Sequence, residues 1–81
     1  MKTALIIPAY KPAKELLGLL AQFKDNDDFL PIVVDDGSGA DFEPIFSALP
    51  EGVRLLRHPQ NRGKGAALKT AFEYVLRHLP E

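Results

Sequence analysis

No stretch limits what this chain can become more than Pro31-Ile32-Val33-Val34-Asp35-Asp36-Gly37-Ser38-Gly39. Ile32-Val33-Val34 is apolar and β-branched without polar alternation, the pattern of a strand covered on both faces, as in a parallel sheet under helices. The run ends on two carboxylates and a Gly-Ser-Gly turn. Ligands of open parallel sheets bind in the crevice beyond the carboxyl ends of the strands. Asp35 and Asp36 therefore stand on the rim of such a crevice. Successive strand side chains point to opposite faces, so at most one of the two faces a given ligand squarely. Gly37 and Gly39 permit positive φ and a close backbone approach. A plain strand followed by a turn explains one Asp and one Gly, but two adjacent carboxylates less well.

A second run of the same kind, Ala4-Leu5-Ile6-Ile7, opens the chain, and Pro8 closes it because proline cannot donate to a ladder. Pro8-Ala9-Tyr10-Lys11 is then a loop at the same edge as the paired aspartates. Tyr10 either stacks on a flat ring and offers a hydroxyl, or caps the edge of the core. Pro12 suits a first helical turn, and Ala13 to Lys24 reads as a helix with an apolar stripe of Leu16, Leu17, Leu19, Leu20 and Phe23. Asp25-Asn26-Asp27-Asp28 closes it. An EF-hand loop counted from Asp25 needs Gly and Glu where Leu30 and Asp36 stand, so the acidic run is read as a solvated loop.

Beyond Ser38, Asp41 is expected to cap a short helix from Phe42 to Leu49, with Pro44 in its first turn. Val53 to Arg57 reads as a third strand. His58 to Gly65 is a loop into a last helix, Ala66 to Leu79, with Leu68, Ala71, Phe72, Val75, Leu76 and Leu79 on one face. Gly63-Lys64-Gly65 before that helix suits an anion, but it is neither a P-loop nor the dinucleotide fingerprint. His58 is read as a surface residue. Strand and helix alternate three times, which implies a parallel α/β sheet with right-handed crossovers.

Composition narrows the function classes. At 81 residues the chain is one domain, 1–81, with a small core. The absence of cysteine excludes disulfides and thiolate metal sites. No apolar run is long enough for a membrane span, the first residues are too brief a pattern for a signal peptide, and the expected location is cytoplasmic. The net charge of −1 hides an asymmetry: four Lys/Arg against nine Asp/Glu up to residue 51, and six against two from residue 52. The basic part can meet phosphates but is too small for a nucleic-acid groove.

Ile6-Ile7-Pro8-Ala9-Tyr10, Val33-Val34-Asp35-Asp36-Gly37-Ser38 and Asn61-Arg62-Gly63-Lys64-Gly65-Ala66-Ala67-Leu68, in this order, resemble the start of a family 2 glycosyltransferase, a family that includes dolichyl-phosphate mannose synthases and many bacterial sugar transferases. The resemblance covers nearly the whole chain. It implies a three-layer, Rossmann-like β-α-β-α-β-α arrangement with a short parallel sheet, a partial GT-A fold that binds a UDP- or GDP-linked sugar. It also implies nucleotide-binding roles: Pro8 and Tyr10 at the base, Asp36 accepting from base or ribose with Asp35 as its partner, and Arg62 and Lys64 bordering base or phosphates. A carboxylate suits the N–H edge of uracil or guanine, and a lysine suits a diphosphate.

Two departures stand out. Lys11-Pro12 replaces the family's usual Asn-Glu, and the family's Asp-x-Asp metal motif would fall beyond Glu81. The expectation is therefore a nucleotide-binding portion with no catalytic residue and no metal site of its own, inactive alone; Mg2+ or Mn2+ belongs to a full-length relative. A non-catalytic nucleotide-binding or assembly module is the alternative, and an unrelated response-regulator-like domain a third reading. The family's strand order, third-second-first, leaves Leu5-Ile6-Ile7 at an edge, and the last helix has an uncovered apolar face. Both predict a homo-oligomer.

Overall fold

The computed structural model describes residues 3–78. Three strands, β1 (Thr3–Ala9), β2 (Phe29–Asp36) and β3 (Arg54–His58), pair in parallel in the order β1-β2-β3. Helices α1 (Glu15–Ala21), α2 (Glu43–Ser47) and α3 (Lys64–His78) follow them in turn, and a 3₁₀ turn at Ala40–Phe42 leads into α2. The result is the three-layer, Rossmann-like α/β arrangement of a partial GT-A fold.

The continuous apolar pattern of β2 is explained by its central place. Leu30 to Asp36 are all buried, because the strand has a neighbour on each edge and helices on each face. Its side chains split between two cores. Leu30, Ile32 and Val34 pack with Ala67 and Ala71 of α3. Val33 packs on the opposite face with Ala9, Leu20 of α1 and Phe46 of α2. Two alanines let α3 approach the sheet closely. Leu20, Ile32, Val33 and Val34 are fully buried, each contributing about 1.5–3 kcal/mol relative to exposure. β1 has the same apolar pattern but pairs with β2 alone among the described residues, so Ala4 to Pro8 are only half-buried.

The elements are shorter or shifted where local signals misled. The first helix covers Glu15–Ala21 rather than residues 13–24, and Leu19 is exposed, because two turns present only the narrow Leu16–Leu20 seam to the sheet. Phe23 lies beyond the helix and meets Phe29 edge-on at 5.3 Å. Asp25 to Asp28 are exposed, and Asp28 N–H donates to Asn26 Oδ1 in a local turn. Asp41 does not cap α2 with its side chain: it lies inside the 3₁₀ turn. The third strand takes in His58 and starts at Arg54. Helix α3 begins two residues earlier than expected, and Leu79 lies outside the described residues. Its inward face is Ala67, Ala71, Tyr74 and Val75. Phe72 and Leu76 are 56% and 81% exposed, so much of the predicted apolar face points away from the sheet.

Candidate functional site

The carboxyl ends of the three strands meet three loops, and these are stitched together by specific contacts. Gly37 has φ 73°, and a Cβ there would overlap the backbone of Gln60 and Asn61. The β2–α2 loop thus packs directly on the β3–α3 loop, which only glycine allows. Lys11 stands in the left-handed region, φ 49°, and its N–H donates to Ser38 Oγ at 2.8 Å. Ser38 N–H in turn donates to Asp35 Oδ1 at 3.0 Å. Backbone held in this sparsely populated region is a form of strain that the surrounding contacts must maintain.

A cleft of about 380 Å³ opens between these loops, lined by Pro8, Ala9, Tyr10, Asp36, Asn61, Gly63 and Lys64. Tyr10 is 50% exposed at its mouth, with Lys11 Nζ 5.4 Å from the ring centroid. The first intrahelical bond of α3 runs from Ala67 N–H to Gly63 O. The N–H groups of Lys64, Gly65 and Ala66 therefore have no intrahelical acceptor, and they give the helix start its positive end.

Asp36 forms the floor. Its Oδ1 lies 2.8 Å from His58 Nδ1 and accepts Arg62 N–H at 2.9 Å. Its Oδ2 accepts Gly63 N–H at 2.9 Å and the Asn61 side-chain amide at 3.3 Å. One carboxylate from β2 thus anchors the whole approach to α3 and sets a negative charge against that helix's positive end, a favourable placement. The His58 hydrogen bond, then the backbone N–H groups of Arg62 and Gly63, hold the Asp36 carboxyl below the usual aspartate range, although burial works the other way.

Pro8, Tyr10, Asp36 and Lys64 are brought together on this cleft. Asp35 is not: it points to the other face of the sheet, beside a recess of about 460 Å³ that it shares with Glu43 and Arg57. Arg62 is exposed, and it is its backbone that meets Asp36. His58 corrects the reading of a surface residue. It is buried, because the parallel register sets it directly across from Asp36 and on the α3 side, where its Nε2 lies 2.7 Å from Thr70 Oγ1. Thr70 carried no functional signal in the chain, and Asn61 carried one only as the first residue of the motif Asn61 to Leu68. His58 becomes legible only with the register: β2 ends Asp35-Asp36, β3 ends Arg57-His58, and the two strands end level.

The model of the family described as glycosyl transferase family 2 matches residues 4–77. The chain belongs to glycosyl transferase family 2. No curated protein and no solved structure matches it. For a family 2 glycosyltransferase the divalent cation is the implied cofactor. Among the described residues no group of three or more His, Asp or Glu side chains is placed to hold a metal ion. Nor is any helix among them long and apolar enough to cross a membrane.

Proposed function

We propose that this family 2 glycosyltransferase domain holds the nucleotide of a UDP- or GDP-linked sugar in the cleft between Tyr10 and Lys64. The observation that carries the reading is the cleft itself. A half-exposed aromatic ring, a lysine and a helix start surround one ionised carboxylate. The base stacks on Tyr10. The diphosphate meets Lys64 and the outward N–H groups of Lys64, Gly65 and Ala66. Asp36 already accepts from His58, Arg62, Gly63 and Asn61, so a base or ribose donor takes the place of the long Asn61 contact.

In this proposal the chain alone binds without turnover. A site without metal or a full phosphate clamp has an affinity of about millimolar or weaker, roughly 4 kcal/mol. NMR titration with UDP and GDP tests the reading. The expected result is shift changes at Tyr10, Gly63 and Lys64 that saturate with nucleotide; changes confined to the opposite edge of the sheet, around Asp25 to Asp28, would overturn it.

A further inference from the structure

Asp36 does not reach the cleft as a free side chain. It is the middle of a chain of contacts that starts on α3: Thr70 Oγ1 to His58 Nε2 at 2.7 Å, and His58 Nδ1 to Asp36 Oδ1 at 2.8 Å. The other ends of the carboxylate are the N–H groups of Arg62 and Gly63. His58 and Asp36 are both buried, while Thr70 is half-buried. Among the described residues no buried side-chain nitrogen or oxygen lacks a partner. An ionised carboxylate is acceptor-only, so the hydrogen between it and the imidazole sits on Nδ1. In the neutral ring Nε2 is then the acceptor, and Thr70 donates its hydroxyl hydrogen. The second partner of an imidazole selects its tautomer and fixes the ring's orientation.

We propose that His58 and Thr70 are positioning residues of the cleft: acting through Asp36, they hold Asn61 to Lys64 in the conformation that lines it. Neither side chain lines the cleft. Three of the lining residues, Asp36, Asn61 and Gly63, are connected to one another by this carboxylate. Rotating the imidazole, or losing its hydroxyl partner, frees the carboxylate to turn and loosens the two N–H groups it holds. That this positioning sets nucleotide affinity rests on the reading given under Proposed function; that it sets the shape of the loop does not.

The test uses Thr70→Val, which keeps the shape of Thr70 and removes the hydroxyl, with Thr70→Ser as the rescue. His58→Asn keeps a donor for Asp36 but cannot reach Thr70, and it guards against variants that fail to fold. In the free wild-type protein, nitrogen NMR should find the hydrogen on Nδ1 of His58, and the Arg62 and Gly63 amide protons shifted as carboxylate-bonded ones are. Thr70→Val and His58→Asn should move both amide signals and weaken UDP or GDP binding roughly threefold or more, the weight of a net hydrogen bond. Thr70→Ser should restore both. An unprotonated Nδ1 would overturn the proposal. So would a Thr70→Val protein that melts lower while its Arg62 and Gly63 signals stay in place, since that marks a role in stability alone. If the wild type binds neither nucleotide, the nucleotide reading fails, and the amide signals of the free variants still decide the positioning roles.

Discussion

Asp35–Arg57 and Asp36–His58 are adjacent rungs of one parallel ladder, yet they have opposite characters. Each sets an aspartate against a basic side chain. On the α2 side, Arg57 is 44% exposed, lies 3.8 Å from Asp35, and makes its close bidentate contacts of 2.7 and 3.0 Å with Glu43 instead. On the α3 side, His58 is 5% exposed and is held by Asp36 and Thr70 at once. Solvent makes the difference. Asp35 itself is buried, but its partner Arg57 is in the open, and a long contact to an exposed cation is screened and contributes about 0–1 kcal/mol. A covered one leaves an unsatisfied group behind when it is broken, and the cost of that exceeds the worth of the contact itself. The rung that faces the cleft is thus the one built to stay still.

The largest test of this contrast is to remove each carboxylate. Asp36→Ala leaves His58, Arg62 and Gly63 without their acceptor, and it is expected to abolish the cooperative thermal transition followed by circular dichroism. Asp35→Asn keeps an acceptor for Ser38 and gives up only the screened contact with Arg57; about 1 kcal/mol or less should be lost. Equal losses at the two positions would break the comparison.

Gly37→Ala comes next. The left-handed backbone alone costs a side chain roughly 1–2 kcal/mol, and the new Cβ overlaps Gln60 and Asn61. A total loss of about 2 kcal/mol or more is expected in urea denaturation, with the Asn61 and Gly63 amide signals displaced. An unchanged midpoint would mean that the two loops are not in contact.

Acid titration sharpens the contrast with the smallest effect. The folded Asp36 carboxyl lies below its ordinary value, so the unfolded chain binds more protons in that window and stability rises with pH there. Its contribution is complete above the ordinary aspartate value of about 3.9 and is lost as pH falls through the lower folded value. Glu43 is shifted the same way, chiefly by Arg57 and then by Ser47, but in the open. Followed by circular dichroism from neutral pH downward, Glu43→Gln should nearly overlay the wild type, while Asp36→Asn should flatten the acid limb. The reverse ranking would show that the exposed pair is the stronger anchor.

Much of this architecture is legible in the chain. The unbroken apolar runs at Leu5–Ile7 and Ile32–Val34 announce covered parallel strands; both strands form, β2 fully covered and β1 half-buried. The alternating elements give the α/β class, and Gly37 marks a turn that only glycine fits. Pro8, Tyr10, Asp36 and Lys64 are legible as one group because each sits at or just past the carboxyl end of a strand or the start of a helix. Element ends are less legible. Asp41 has a capping side chain by type, but Gly39 and the 3₁₀ turn place it inside the turn.

By itself the sequence determined that Asp35 and Asp36 face opposite sides of the sheet, since that follows from the period of two along any strand. It did not determine which side holds the cleft. That depends on where α3 lies, and α3 packs its alanines on the face of Ile32, Val34 and Asp36. Nor did it determine the role of His58. A histidine between a strand and a proline reads as exposed until the register sets it across from a carboxylate 22 residues away and Thr70 closes over it. Local patterns encode which way neighbouring residues point. Partners distant in the chain are chosen by register and helix packing, and these exist only once the sheet has formed.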